Sequence, residues 1–287
     1  MPDEKPEGIR RLEQSKKKLN GIKLVKKNLA GINLSEGSLK EAELTGSNLK
    51  RADFSGALLN GAQLKKSNCE AALFKQASGL RINFEKARLS GADLSDADFS
   101  ETNWSETIAD GVSLVGTKLR RAYMSGASFV EADLSNVELT RSNLGKAQLI
   151  KARLDGANIS QSFLGKTSFN GASLVSADLS ACNISGGDFR NARMEKINLS
   201  GSELNRAFLR GADLSSANLE RAILRGADFD KAVLTGANLR GADMTLALNL
   251  SPEQLNSTNL DPKTKLPEYL KIDWLSEADF KIQANSH

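Results

Sequence analysis

The chain has 287 residues, 40% of them apolar, and a formal net charge of +4, enough for one large domain or two modest ones with a substantial core. No stretch approaches the ~18 uninterrupted apolar residues of a membrane span. A single histidine, His287, and two cysteines exclude Ser-His and Cys-His nucleophilic sites and ordinary zinc sites, and no glycine-rich phosphate loop has the required spacing, so no catalytic residue, cofactor or metal is expected.

The opening MPDEKPEGIRR lacks the apolar core of a signal peptide, and a soluble cytoplasmic protein is expected. Residues 1–27 hold nine Lys/Arg against four Asp/Glu, whereas the remainder sums to −1. The basicity therefore belongs to one end, and nucleic acid is disfavoured as a partner of the body. Within the basic segment 1–18, EGIRRLEQSKKKL reads as a short cationic helix. Arg10, Arg11, Lys16, Lys17 and Lys18 form a candidate basic patch. It is either a solvated cap or a dock for a polyanion or an acidic membrane surface.

From Leu19 to Met244, every fifth residue is large and apolar at 43 of 46 positions; the exceptions are Cys69, Gly79 and Ala109. The residue two earlier is mostly alanine, with Lys17 and Lys27 the charged exceptions. On a helix five residues turn about 500°, so the leucines would smear around the cylinder. On a strand an odd step sends successive leucines to opposite faces. A chain that turns a corner once per repeat buries them all. Each repeat is then one short side of a coil, and the coils stack through backbone hydrogen bonds as a solenoid.

The motif A-(D/N)-L-x-x, as Ala92-Asp93-Leu94, Ala132-Asp133-Leu134, Ala212-Asp213-Leu214 and Ala237-Asn238-Leu239, resembles the pentapeptide-repeat proteins. The resemblance implies an all-β fold: a right-handed quadrilateral β-helix over residues 19–249, four repeats per coil, with short α-helical caps. About 11 turns at ~4.8 Å would make a rod on the order of 55 Å long.

A 20-residue coil stacks Phe54 under Phe74, Phe84 under Trp104 and Phe169 under Phe189. Alanine at the small position marks a space limit. Glycines such as Gly46, Gly56, Gly91, Gly126 and Gly211 fall at the last position of the repeat, where a corner needs them. Gly79 and Ala109 mark weak repeats, where a bulge or small loop is expected with Leu80 or Ile108 as the compensating neighbour. Cys69 and Cys182 both point inward, between five and six coils or roughly 27 Å apart, which excludes a disulfide.

After Asn249, LNLSPEQLNS carries helix-start signals: Ser251 as N-cap, Pro252 as first helical residue, and Gln254 as the reciprocal member of a capping box. Residues 250–287 form a cap helix and a tail. Its Tyr269, Trp274 and Phe280 pack on the solenoid or on a second copy, which would make a homodimer through an end or the C-terminal tail.

Function must then sit in the outward positions or the ends. The first reading is a non-catalytic protein–protein interaction or scaffold module with an unknown protein partner. Val130 and Ile150 are expected to touch, with Ile108 on the same side. The second reading comes from the resemblance: some members are acidic rods that mimic DNA, bind DNA gyrase and shield it from inhibitors. Mimicry needs a continuous negative run. The most acidic side carries Glu36, Asp53, Asp93, Asp96, Asp133, Asp155, Glu195 and Asp213 against Lys75, Arg153, Arg193 and Lys196, a mild excess that disfavours it. Docking of a polyanion or membrane surface through the N-terminal cluster is the third.

Overall fold

The computed structural model describes residues 6–276 and 280–285. His287 lies outside them. The chain divides into two compact units, Met1–Asn143 and Leu144–His287.

In the first unit each five-residue segment pairs in parallel with the segment twenty residues on: Lys23 with Glu43, Asn28 with Asn48, Asn33 with Asp53, Ser38 with Leu58, and so on to Tyr123 with Asn143. The second unit repeats the pattern from Gln148–Ser168 to Asp228–Leu248. Each unit is a repeat β-helix with four repeats per coil. The turn that makes this possible is the same at each corner. Ile22 N–H donates to Leu19 C=O at 3.2 Å, and Gly21 between them has φ 67°. Positive φ at the third residue only is the type II arrangement. It points Leu19 and Ile22 inward and the two turn residues outward.

The inward positions form the core. Leu34, Phe54, Leu94, Leu214 and their equivalents are fully buried, as are alanines such as Ala52 and Ala212. Phe54 stacks on Phe74 at 4.9 Å and 8°, and Phe169 on Phe189 at 4.8 Å and 3°. Phe84 meets Trp104 at 4.8 Å with a 42° tilt.

The expected loops at Gly79 and Ala109 are absent. Pairing runs unbroken through Ser78–Asp98 and Ile108–Ser128. Leu80 and Ile108 do not compensate, staying outward at 41% and 40% exposure. At Gly79 the inward side chain of Ile82 fills the space instead. After Ala109, the small position of the next repeat holds Val112, fully buried. Phe129, one coil on from Ala109, meets Trp104 at 6.1 Å, so two rings supply the missing volume.

Before the first coil lie α1 (Glu7–Gln14) and a 3₁₀ turn, Lys16–Lys18. After the last regular repeat comes α2 (Pro252–Leu255). Ser251 Oγ accepts the Gln254 N–H at 3.4 Å and Gln254 Oε1 accepts the Ser251 N–H at 2.8 Å. The Gln254 amide also donates to the Phe229 and Ala232 carbonyls at 2.9 and 2.8 Å. Coil-like pairing continues past Asn249: Leu239 N–H reaches Asn259 C=O and Met244 N–H reaches Lys265 C=O, both at 2.8 Å.

The tail divides its aromatics. Tyr269 joins the last repeat, its hydroxyl donating to Ala247 C=O at 2.9 Å and accepting from Leu250 N–H at 3.1 Å. Trp274 and Phe280 meet each other at 5.5 Å, edge to face. They are cross-strand partners in an antiparallel hairpin of β1 (Leu270–Trp274) and β2 (Phe280–Ala284). The sequence pattern of residues 250–287 predicts a cap helix and a tail, not this hairpin.

Candidate interaction surface

Three residues in five face outward, so the surface chemistry is set by which outward residues stack. In the first unit Asp53, Asp93 and Asp133 share one side, separated by Leu73 and Ser113. They are engaged rather than free. Asp53 Oδ1 accepts the Ser55 N–H at 2.9 Å, and Asp133 accepts the Ser135 N–H at 3.0 Å. Asp93 takes the Ser95 hydroxyl at 2.6 Å and Lys75 Nζ at 2.9 Å. Burial pushes the Asp93 pKa up, but these bonds outweigh it and the net shift is down.

On the corresponding acidic positions of the second unit, Asp155 and Glu195 each hold an arginine and Asp213 is hydrogen-bonded. Arg153 pairs with Asp155 at 3.0 Å and Arg193 with Glu195 at 3.1 Å, while Asp213 accepts from Ser215. Each cation comes from the side of the acid's own repeat. A separate side carries an amide ladder: Asn198 donates to Asp178, Asn218 to Asn198 and Asn238 to Asn218, at 3.0, 3.2 and 3.1 Å.

Of the candidate interface residues, Ile108 and Val130 belong to the first unit and Ile150 to the second. Ile108 is exposed between Arg88 and Ser128. Val130 is half-buried, its N–H donating to Asp110 Oδ1 at 3.0 Å, and Ile150 is half-buried. The sequence reading passed over a corner groove of the second unit, about 550 Å³, lined by Lys166, Arg206, Arg225, Gly186, Gly226 and Leu246. Its signal was present as a 20-residue series of corner residues: Lys166, Gly186, Arg206, Gly226, Leu246.

The basic patch is largely occupied. Arg11 pairs with Glu7, and Lys17 with Glu36 at 3.4 Å. Lys16 Nζ donates to Ser35 Oγ at 3.2 Å. Arg10 and Lys18 are exposed. Both cysteines are free and buried. Burial raises Cys69 to about 12, against a hydrogen bond from Ser67, and Cys182 to about 11, so neither thiol is a nucleophile at neutral pH. Among the described residues no group of three His, Cys, Asp or Glu is placed to hold a metal ion, and no helix is long and apolar enough to cross a membrane.

Comparison with known proteins places this geometry. The family described as pentapeptide repeats matches residues 28–65, 87–126, 117–155, 127–165, 152–191, 188–220 and 212–248. Among solved structures, HetL, a pentapeptide repeat protein involved in heterocyst differentiation regulation from the cyanobacterium Nostoc sp. strain PCC 7120, is 26% identical. The match covers 82% of this chain and 94% of HetL, with a TM-score of 0.31. QnrB1, a plasmid-mediated fluoroquinolone resistance protein, is 18% identical over 79% of this chain and 94% of its own, with a TM-score of 0.39. A pentapeptide repeat protein of the Arabidopsis thaliana thylakoid lumen is 28% identical over 42% of this chain and 70% of its own, with a TM-score of 0.28. No curated protein sequence gave a match. The five-residue period, the four-sided coils and the family match agree: the chain belongs to the pentapeptide-repeat family.

Proposed function

We propose that the chain is a non-catalytic protein–protein interaction module. Its framework is a right-handed β-helix over residues 19–249, preceded by the basic segment 1–18 and followed by residues 250–287. One observation carries the reading. Folding uses two residues in five, yet the outward set includes large apolar side chains that the fold does not need, with Tyr123 60% and Leu246 67% exposed. Exposed apolar residues on a rigid scaffold are recognition material. The candidate contact residues are Ile108 and Val130 on the first unit and Ile150 on the second. The two buried free thiols fit a cytoplasmic setting.

The test is partner capture from source cells with the wild-type chain and an Ile108→Asp/Val130→Asp/Ile150→Asp variant. A partner retained by the first and lost by the second, with unchanged circular dichroism, supports the reading. Nothing above controls with the wild type would sink it.

The other readings have less support. DNA mimicry needs unpaired negative charge, whereas Asp93, Asp155 and Glu195 each hold a cation. Inhibition or protection of gyrase supercoiling at micromolar protein would reinstate it. Polyanion docking needs free lysines, whereas Lys16 and Lys17 are engaged. Salt-sensitive polyanion binding lost on deleting residues 1–18 would reinstate that.

A further inference from the structure

Inside the stack each coil is hydrogen-bonded on both edges. Glu43 N–H donates back to Ile22 C=O at 2.8 Å, and Asn48 N–H to Lys27 C=O at 2.9 Å. Glu43, Thr45, Asn48 and Lys50 carbonyls accept from Leu24, Lys26, Leu29 and Gly31. One coil earlier, the equivalent groups are the N–H of Lys23 and Asn28 and the carbonyls of Lys23, Val25, Asn28 and Ala30. Among the described residues none of these has a hydrogen-bond partner.

The remaining sides of this coil are met from the preceding chain. Ser38 N–H donates to Lys16 C=O at 2.8 Å, Leu19 N–H donates to Ser38 C=O at 3.0 Å, and Asn33 N–H donates to Glu13 Oε1 at 2.8 Å. In the second unit the last coil is covered more fully. Gly236, Leu239 and Met244 N–H donate to the Ser257, Asn259 and Lys265 carbonyls, and Gln254 serves two more carbonyls. Among the described residues, two adjacent sides of the first coil thus present an open β edge.

The side chains there are unfinished too. Ile22 and Leu24 are half-buried and Val25 is exposed, whereas Ala42 and Leu44, their equivalents one coil on, are fully buried. Lys23, Lys26 and Lys27 are exposed around them. Among the described residues, Lys23 alone of the three has an acid within 4 Å, Glu43 at 3.3 Å.

We propose that the Lys23–Asn28 edge docks an acidic segment of a partner protein, which pairs through its backbone with both sides and bends with the coil at the Lys26 corner. Backbone pairing supplies affinity. Apolar side chains of the segment cover Ile22 and Leu24, and its carboxylates meet Lys23 and Lys27. A second copy is disfavoured as occupant, because it would bring the same lysines face to face. The proposal rests on the interaction-module reading but uses a different surface from Ile108, Val130 and Ile150.

The experiment is residue-resolved amide exchange on the full chain, alone and with a synthetic peptide of alternating valine and glutamate. Lys23 and Asn28 N–H should exchange at least roughly tenfold faster than those of Glu43 and Asn48 in the free protein. The peptide should protect them, less so at high salt or in Lys27→Glu, and a valine–lysine peptide should not. No protection by the valine–glutamate peptide at millimolar concentration overturns the proposal. So does protection already present in the free protein: if lost on deleting residues 1–5, the chain's own start is the occupant; if lost on dilution, a second copy is. Failure here with the Ile108-dependent partner still captured leaves the interaction module standing; failure of both removes both.

Discussion

Ile82 Cδ1 occupies the place that a β-carbon on Gly79 would take, and Ile82 Cγ1 lies 2.8 Å from that point. Gly79 holds the central position of its repeat and Ile82 the small position of the next, so the usual large-then-small order across the turn is inverted. The two share a single volume. Gly79→Leu alone should overpack by roughly 1–3 kcal/mol or more, and Ile82→Ala alone should leave a cavity costing about 2–5 kcal/mol. The double variant restores the usual order and should be less destabilised than either, with a coupling above about 1 kcal/mol. Denaturant unfolding of the three variants measures this. Simple additivity would show that the positions do not share space.

Trp104 is fully buried, and its indole N–H donates to Thr102 Oγ1 at 2.8 Å. Thr102 passes the chain on, its hydroxyl donating to Phe99 C=O at 2.6 Å. Thr102→Val keeps the shape and strands the indole N–H, at a cost of about 1–3 kcal/mol. Trp104→Phe in the Thr102→Val background should recover part of it by removing the donor. If Thr102→Val leaves the melting temperature unchanged, the hydrogen bond has no net worth.

The coil was legible in the sequence because its cause is local. A turn every five residues puts Leu19 and Ile22 on one side of the backbone whatever surrounds them, and with four repeats per coil the Phe54–Phe74 and Phe169–Phe189 stacks follow. Compensation was not legible at Gly79, because Leu80 is the sequence neighbour while Ile82 is the spatial one, across the turn. The mild acidic excess was legible as a count that already set Lys75 against Asp93, but the pairing itself, Lys75 reaching Asp93 from one coil away, was not. The open edge at Lys23 and Asn28 depends on which sides α1 and Lys16 cover, a matter of three-dimensional reach. The Leu270–Trp274 and Phe280–Ala284 strands do alternate, but between them stand only Ser276 and Asp279 as turn residues, with no Gly, Pro or Asn to mark a hairpin.

The corner glycines have a different role from the one their position suggests. Lys166, Arg206 and even Leu246 adopt the same left-handed φ of 54–63°, so the corner does not require glycine. What distinguishes Gly226 is its neighbour one coil earlier. Arg206 Cγ lies 3.5 Å from where a β-carbon would be, and the Arg206 stem rests over the glycine. Gly226→Val should cost about 1–2 kcal/mol, since a β-branched residue resists this φ, and Gly226→Asn less than about 1 kcal/mol. Melting temperatures of the two variants test the order. Equal losses would assign the effect to crowding of Arg206 rather than to φ.

Asp243 is the most strongly held carboxylate of the second unit. It takes Arg225 Nε and Nη2 at 2.8 and 2.6 Å, the Thr245 hydroxyl at 2.6 Å and the Thr245 N–H at 3.1 Å. Burial pushes its pKa up, but the Arg225 and Thr245 bonds overcome that and hold it at about 2. The folded value lies below the unfolded one of about 3.9. The stabilisation is therefore present above about pH 4 and drains as pH falls from about 4 to about 2. Its size is discounted because Arg225 is 57% exposed although Asp243 is 13%, leaving roughly 1–2 kcal/mol at neutral pH. Asp243→Asn should lower the melting temperature at pH 7, and the gap to wild type should close by about pH 2. A gap that stays constant across that range would assign the loss to packing at Asp243 and not to its charge.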